Sequence, residues 1–210
     1  MAVSIHELFM SVNLPYNTPV KWNTPLDANY PGIYVISLTK DPYDKIASNY
    51  KFELNNETFL EWKKEANYLS LEEEKIEQLA PFQKYLSQFW NPDENILYIG
   101  QSSSSTHSIS KRVLQYYKHK LGQKGPHNGG YWLKLLKFLE STFVFYSKAE
   151  NPKETEFKML LKYIELSTGK SIFEIPNLGA KLPFANLNAE LDKVHSIKNP
   201  TNRNKREKKK

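Results

Sequence analysis

Arg112 is the residue of this sequence whose type and position point most directly to chemistry. The chain has 210 residues and 29 basic residues, of which three are arginines; the other two, Arg203 and Arg206, lie in the C-terminal tail. A guanidinium binds a phosphate or carboxylate through two parallel hydrogen bonds, which an ammonium cannot reproduce. Tyr116 follows one turn later on the same face of a predicted helix, so both side chains can reach one phosphate. The alternative interpretations are a surface ion pair for Arg112 and simple packing for Tyr116.

The charge is distributed unevenly around this helix. Segment 96–148 carries 8 positive charges and one negative charge, Glu140, whereas segment 39–95 carries 7 positive and 12 negative charges. A basic segment within a neutral body favours binding of a polyanion, because neutralising phosphates releases counterions. A solvated helix face in a lysine-rich protein explains the same pattern. On the first interpretation, Lys111, Lys118, His119 and Lys120 form a surface that follows a nucleic-acid backbone.

The composition excludes several classes of site. The sequence has no cysteine, which rules out disulfides, thiolate metal sites and cysteine nucleophiles. Its five histidines show no close pair at zinc-ligand spacing, and Gly129-Gly130 matches neither nucleotide-binding loop. No apolar stretch of about 18 residues suggests a membrane span, and the first twenty residues do not resemble a secretory signal. We therefore expect a soluble, cytoplasmic protein with no membrane partner.

The elements that must position Arg112 predict an α+β domain. Segment 1–30 is expected to be irregular because Pro15, Pro19 and Pro25 are closely spaced. Residues 39–95 are expected to form a helical insertion between the first two strands, and 198–210 a disordered basic tail. Strands are predicted at 32–38, 95–100 and 141–147, and helices at 56–67, 71–89, 110–121, 131–139 and from 152 to near Gly169. The second of these helices is predicted to begin with a capping box formed by Ser70 and Glu73.

Two tripeptides on the first two predicted strands carry a family resemblance. Gly32-Ile33-Tyr34 and Tyr98-Ile99-Gly100, followed by an Arg on the next helix and a Glu on a later one, resemble the GIY-YIG nuclease family. The resemblance covers about 31–188, and segment 39–95 has no counterpart in a minimal member. It implies a small three-stranded antiparallel sheet flanked by helices, within a nuclease domain spanning 31–197.

The resemblance also implies a set of site residues. Arg112 would bind a phosphate oxygen, and Glu156 would hold a single Mg²⁺ ion, with Mn²⁺ as a substitute. A tyrosine would position the attacking water, and would deprotonate it only if the metal or Arg112 lowered its pKa from about 10. The catalytic residues implied in this way are Tyr34, Tyr98, Arg112, Tyr116 and Glu156, with Asn186 in a supporting role. For Tyr34 and Tyr98, ordinary core packing is the alternative.

Two neighbouring glutamates compete for the role of metal ligand. Glu154 is accounted for by a predicted capping box with Asn151 at the start of the last helix. Glu156 has no such duty and lies at the edge of the apolar stripe that includes Leu160. We therefore assign the metal to Glu156, with a solvated helix position as the alternative.

The expected function is a divalent-metal-dependent DNA endonuclease that leaves 5′-phosphate and 3′-hydroxyl ends. Its size and long insertion are most similar to a stand-alone type II restriction enzyme of the family. Symmetric cutting of two strands requires two active sites, so we expect a homodimer or transient pairing on DNA. The alternatives are a nucleic-acid-binding protein with a nuclease-like fold and no turnover, and a structure- or RNA-directed nuclease.

Overall fold

A four-stranded antiparallel sheet forms the centre of the protein. The computed structural model describes residues 2–66, 69–71, 74–122, 131–178 and 181–186. The sheet order is β1-β6-β2-β5, where the strands are β1 (Val20–Lys21), β2 (Gly32–Ser37), β5 (Ile96–Ser102) and β6 (Phe143–Lys148). The α+β class is therefore confirmed, but the expectation of three strands is wrong, because β1 adds a fourth strand beside β6.

The first thirty residues are more ordered than their prolines suggest. Helix α1 (Ile5–Met10) begins with a capping box in which Ser4 and Glu7 bond each other's backbone N–H groups. Strand β1 lies between Pro19 and Pro25 and consists of two residues that pair with Val144 and Phe143. The prediction of an irregular segment is wrong because α1 ends before Pro15 and β1 is short enough to fit between Pro19 and Pro25.

The two faces of the sheet pack against different helices. Tyr34 and Tyr98 belong to one buried cluster together with Val113 of helix α4 (Ile109–Lys118). The alternating residues on the same strands belong to a second cluster with helix α5 (Pro152–Thr168), whose members include Ile33, Val35, Ile99, Phe145, Met159 and Leu160. Helix α5 ends at Gly169, which adopts φ 65° as its predicted C-terminal position requires.

Segment 39–95 enlarges the cluster on the α4 face. It contains helix α2 (Asn56–Glu65), a hairpin of β3 (Ser70–Leu71) and β4 (Glu74–Lys75), and helix α3 (Leu79–Ser87). Phe59, Trp62 and Phe82 from its two helices are buried in the cluster that includes Tyr34. The prediction of one helix over 71–89 is wrong: Ser70 pairs in the hairpin instead of capping a helix, and α3 begins at Leu79. This later start places Pro81 in the first turn, where its missing N–H costs no hydrogen bond.

The segment between α4 and β6 also differs from its prediction. Instead of an α-helix at 131–139, it forms two 3₁₀ turns, Tyr131–Leu135 and Leu139–Ser141. A third 3₁₀ turn, Ile172–Glu174, follows α5. Within the part of the chain that the structure describes, no helix is both long and apolar enough to cross a bilayer. The predicted basic tail 198–210 lies outside the described residues.

Candidate active site

Tyr34 and Tyr98 meet in the centre of the α4 face. They lie on neighbouring strands, where Tyr34 pairs with Gly100 and Tyr98 with Ile36. Their rings are 5.9 Å apart at the centroids, and their hydroxyl groups are hydrogen-bonded to each other. Both residues are buried, with 1% and 9% of their surface exposed. Two hydroxyl groups are thus held inside an otherwise apolar cluster.

Each glycine of the two tripeptides makes room for a neighbour. A Cβ at Gly100 would lie 2.6 Å from Cζ of Tyr34 and 2.6 Å from Cε1 of Tyr98. A Cβ at Gly32 would lie 2.0 Å from the carbonyl oxygen of Ser147 on β6. Gly100 therefore lets the two tyrosines approach each other, and Gly32 lets β6 approach β2.

Helix α4 brings Arg112 and Tyr116 to the two tyrosines. The helix begins at Ser108, whose side chain accepts a hydrogen bond from the Lys111 N–H. Tyr116 is buried, and its ring packs edge-on against Tyr98 with centroids 5.8 Å apart. Burial raises the pKa of both Tyr34 and Tyr98, and the positive charge of Arg112 opposes that rise. Helix α4 thus supplies a ring that packs against Tyr98 and a positive charge that acts on both tyrosines.

Glu156 reaches the same cluster from α5. Its negative charge raises the pKa of both Tyr34 and Tyr98. Burial raises the pKa of Glu156 itself to about 7, and Arg112 opposes that rise. The structure thus brings together all five side chains that the resemblance assigned to catalysis.

Glu154 lies apart from this cluster. It is exposed and forms an ion pair with Lys158 one turn later, with Nζ and Oε1 2.6 Å apart. The Asn151 side chain makes no capping hydrogen bond, so the predicted capping box of Asn151 and Glu154 is wrong. Residues four positions apart are neighbours on a helix surface, so the Glu154 carboxylate pairs with Lys158 and does not cap the start of the helix.

Burial keeps the two paired tyrosines protonated. It raises the pKa of Tyr98 to about 12, and Glu156 adds to that rise, whereas Tyr34 and Arg112 oppose it. Burial also raises the pKa of Tyr34 well above its usual value, and the charge of Arg112 does not offset it. At neutral pH both side chains are therefore hydroxyls that can donate and accept hydrogen bonds.

Asn186 supports the strand that carries Tyr98. Its side chain accepts a hydrogen bond from the Ile99 N–H at 2.9 Å and donates one to the Ile99 carbonyl at 2.7 Å. The preceding Ala185 N–H donates to the Leu97 carbonyl. Since β5 lies at the edge of the sheet, these bonds satisfy backbone groups that no further strand covers. Asn186 thus fixes the backbone between Tyr98 and Gly100.

The four residues predicted to contact DNA lie at both ends of α4. Lys111 stands beside Arg112 at the helix start and donates to the Thr106 carbonyl at 3.2 Å. The other three, Lys118, His119 and Lys120, line a cleft of about 530 Å³ at the opposite end. The same cleft is lined by three carboxylates, Glu61, Glu65 and Glu140, and by none of the five clustered side chains. The structure thus keeps Lys111 near the cluster and separates the other three from it.

The donor set of the cluster suits a hard divalent cation that keeps most of its water. Glu156 is the one carboxylate among the five side chains, and Mg²⁺ is commonly held by one or two carboxylates and several waters. Within the described residues, no group of three His, Cys, Asp or Glu side chains is placed to hold a metal. A magnesium site here would therefore use Glu156 as its protein ligand.

Two residues that adjoin the cluster were missed by sequence reasoning. Trp22 packs edge-on against Tyr116 with ring centroids 5.5 Å apart, and Lys134 donates a hydrogen bond to the Tyr116 carbonyl. Trp22 lies in the segment predicted to be irregular, and Lys134 is one lysine among many. No local pattern marks either residue, because both contacts are made across the fold.

Comparison with known proteins finds no match among family models, curated proteins or solved structures. The resemblance to the GIY-YIG family therefore stays a prediction from the two tripeptides and from the Arg and Glu that follow them in the sequence.

Proposed function

We propose that this protein is a divalent-metal-dependent DNA endonuclease of the GIY-YIG type. The observation that carries the proposal is the convergence of Tyr34, Tyr98, Arg112, Tyr116 and Glu156 from four elements, β2, β5, α4 and α5. A tyrosine pair, a guanidinium and a carboxylate in one cluster provide the groups that phosphodiester hydrolysis requires: a water-positioning hydroxyl, a phosphate clamp and a metal ligand.

Arg112 acts on the phosphate. Its guanidinium would donate two hydrogen bonds to non-bridging oxygens and stabilise the negative charge that develops on them as water attacks. Burial raises the pKa of Glu156 to about 7 and the charge of Arg112 opposes that rise, so the carboxylate and the guanidinium interact through space. The fork matters more than the charge, because a lysine at this position would bind one oxygen as a point charge.

Tyr34 and Tyr98 act as neutral hydroxyl groups. Because their pKa values lie far above neutral pH, they orient the attacking water and a phosphate oxygen and do not serve as phenolate bases. Tyr116 holds the Tyr98 ring from the α4 side. The five side chains thus fix the line of attack, on which the in-line displacement of the 3′ oxygen depends.

Glu156 would hold the divalent ion. A bound Mg²⁺ or Mn²⁺ would neutralise charge on the phosphate and stabilise the departing 3′ oxygen. Attack of water on phosphorus forms the new P–O bond while the bond from phosphorus to the 3′ oxygen breaks. The attacking water loses its proton to solvent, and the 3′ oxygen takes up a proton from solvent. The products are a 5′-phosphate and a 3′-hydroxyl.

Sequence-specific cutting of the restriction type is the finer part of the proposal. The acidic segment 39–95 is poorly suited to lie on DNA, but it suits a dimer contact or a shield for the site. A homodimer, or two copies that meet on DNA, would place one active site on each strand. Sedimentation of the protein with and without a cleavable duplex tests this stoichiometry.

The deciding experiment is incubation with a long phage genome in Mg²⁺, using chelator, Glu156→Ala and Glu154→Ala as controls. We expect discrete fragments that are lost with chelator and with Glu156→Ala and kept with Glu154→Ala, because Glu154 is exposed and paired with Lys158. A smear with the same dependence would support the nuclease and contradict sequence specificity.

Two other outcomes would contradict the proposal. Intact DNA together with a gel shift that survives chelation would favour a binding protein without turnover. Intact DNA together with metal-dependent cleavage of RNA would keep the chemistry and replace the substrate.

A further inference from the structure

The last turn of α4 is closed by a side chain from outside the helix. The Lys134 ammonium donates to the carbonyl oxygens of Tyr116 and Tyr117, each at a distance of 2.8 Å. The carbonyls of a helix's last turn have no partner within the helix and attract positive charge. At the end of α4 the chain leaves in an extended conformation at His119, so Lys134 takes over these two carbonyls.

Trp22 completes the contact around Tyr116. Its ring lies edge-on to Tyr116 at 5.5 Å and to Tyr117 at 4.8 Å, and the Lys134 ammonium stands 6.0 Å from the Trp22 ring centroid. Tyr116 also packs edge-on against Tyr98. Trp22 and Tyr98 thus both contact the Tyr116 ring, while its carbonyl is bound by Lys134.

Lys134 differs from a surface lysine on the same segment. Lys137 is exposed and forms an ion pair with Glu53, Nζ to Oε2 2.8 Å. Lys134 is half-buried, and burial lowers its pKa to about 8, a shift that Glu140 opposes. An ammonium is kept in such a position when its hydrogen bonds offset the lost hydration.

We propose that Lys134 is a positioning residue of the candidate active site, which holds Tyr116 against Tyr98 by closing the last turn of α4. This role rests on the proposed nuclease function. Because Arg112 lies one turn earlier on the same helix, loss of Lys134 displaces Tyr116 first and Arg112 less. The effect therefore falls on the chemical step and leaves substrate binding largely intact.

The kinetic test compares Lys134→Met with Lys137→Met and Lys134→Arg. We expect Lys134→Met to lower kcat by about tenfold or more with KM within about twofold, since small misplacements cost catalysis heavily. Lys137→Met is expected to match the wild type. Lys134→Arg keeps a cationic donor and should restore most of kcat. Equal losses in the Arg and Met variants, or an equal loss in Lys137→Met, would overturn the proposal.

Hydrogen exchange of α4 tests the same role without relying on activity. In Lys134→Met the amides of 115–118 should exchange at least about tenfold faster, while those of 111–114 keep their protection. In the wild type the last turn should be as protected as the middle of the helix, so the proposal remains testable even if Lys134→Met does not fold. Fast exchange at 115–118 in the wild type would overturn it. If the wild type fails to cut DNA while the exchange result holds, the nuclease assignment is wrong and the closure of α4 by Lys134 stands.

Discussion

The two faces of the sheet bury different kinds of side chain from the same two strands. On β2, Tyr34 packs on the α4 face, while Ile33 and Val35 pack on the α5 face, and all three are fully buried. On β5, Tyr98 and Ile99 divide in the same way. The α4 face thus holds hydroxyl groups beside Arg112 and Glu156, whereas the α5 face of these strands is aliphatic.

This difference suggests that the α4 face serves catalysis and the α5 face serves the stability of the fold. Buried hydroxyls cost free energy unless they are hydrogen-bonded, and the bond between Tyr34 and Tyr98 offsets part of that cost. The aliphatic face carries no such cost and contributes through packing alone. Substitutions on the two faces should therefore affect different quantities: activity on the α4 face and stability on the α5 face.

The largest effect is expected for Arg112→Lys. This change keeps the charge but loses the fork, so kcat should fall by about 10³-fold, in the range seen for arginines that stabilise a transferring phosphoryl group. Thermal stability should change little, because Arg112 is not part of the buried core. Single-turnover cleavage rates measure the loss. Arg203→Lys, the same exchange in the tail, should cleave at the wild-type rate. An equal loss of cleavage rate in Arg203→Lys, or no loss in Arg112→Lys, would contradict the catalytic role of the α4 face.

The next prediction contrasts neighbouring residues of β2. Tyr34→Phe removes one hydroxyl and keeps the ring, so cleavage should slow by about 10²-fold. Val35→Ala leaves a cavity on the α5 face and should lower the free energy of unfolding by about 2 kcal/mol. Denaturant unfolding and cleavage rates, measured on both variants, should give opposite rankings. If the same variant were more strongly affected in both cleavage rate and unfolding free energy, the proposed separation of activity and stability between the two faces would be wrong.

Gly100→Ala tests how closely the site is packed. The added methyl would lie 2.6 Å from atoms of both Tyr34 and Tyr98, so the rings must separate. We expect cleavage to slow about tenfold and unfolding to become easier by about 1–3 kcal/mol, as for other overpacked cores. Gly169→Ala is the matched control: it is strained by its positive φ, with no atom within 4 Å of the new Cβ. That variant should lose stability without losing activity.

The smallest effect on activity is expected at Glu94, the buried carboxyl next to the α5-face cluster. Burial raises its pKa to about 7, although the Val3 N–H donates to it at 3.0 Å. The folded protein therefore binds a proton that the unfolded chain releases, and stability falls as pH rises from about 4.5 to about 7.

Glu94→Gln should remove the share of this pH dependence that Glu94 contributes, while the share of Glu156, whose pKa burial also raises to about 7, remains. The gain of the variant over the wild type should grow by roughly 2–3 kcal/mol from pH 5 to pH 8, with cleavage activity unchanged. Urea titrations at several pH values provide the measurement. An unchanged pH profile, or a loss of activity, would show that Glu94 does not play a purely structural part.

Much of the frame around the site could be predicted from local patterns. The strands that carry Tyr34 and Tyr98 were predicted because each lies in a short, continuous apolar run rich in β-branched and aromatic residues, the first preceded by Pro31 and the second ending at Gly100. The end of α5 was specified by Gly169, which can adopt a left-handed conformation. These features depend on residues close together in the chain.

Elements shaped by distant neighbours were predicted less well. Strand β1 is two residues long and exists because β6 offers it an edge. The paired strands β3 and β4 occupy residues that the sequence predicted as the start of a helix, whereas α3 begins only at Leu79. A propensity summed over a short window contains no information about such partners.

The sequence by itself determined which residue types lie at the site. They are the one arginine outside the tail, two tyrosines each two positions from a glycine, and a glutamate early in the last helix. Tertiary structure decided which side chains lie near each of these residues. Glu156 interacts with the charge of Arg112, whereas Glu154 forms an ion pair with Lys158. Lys118, His119 and Lys120 line a separate cleft. Tertiary structure also closed α4 with Lys134. The physical reason is that charge, burial and hydrogen bonding act over a few ångströms in space, whatever the separation along the chain.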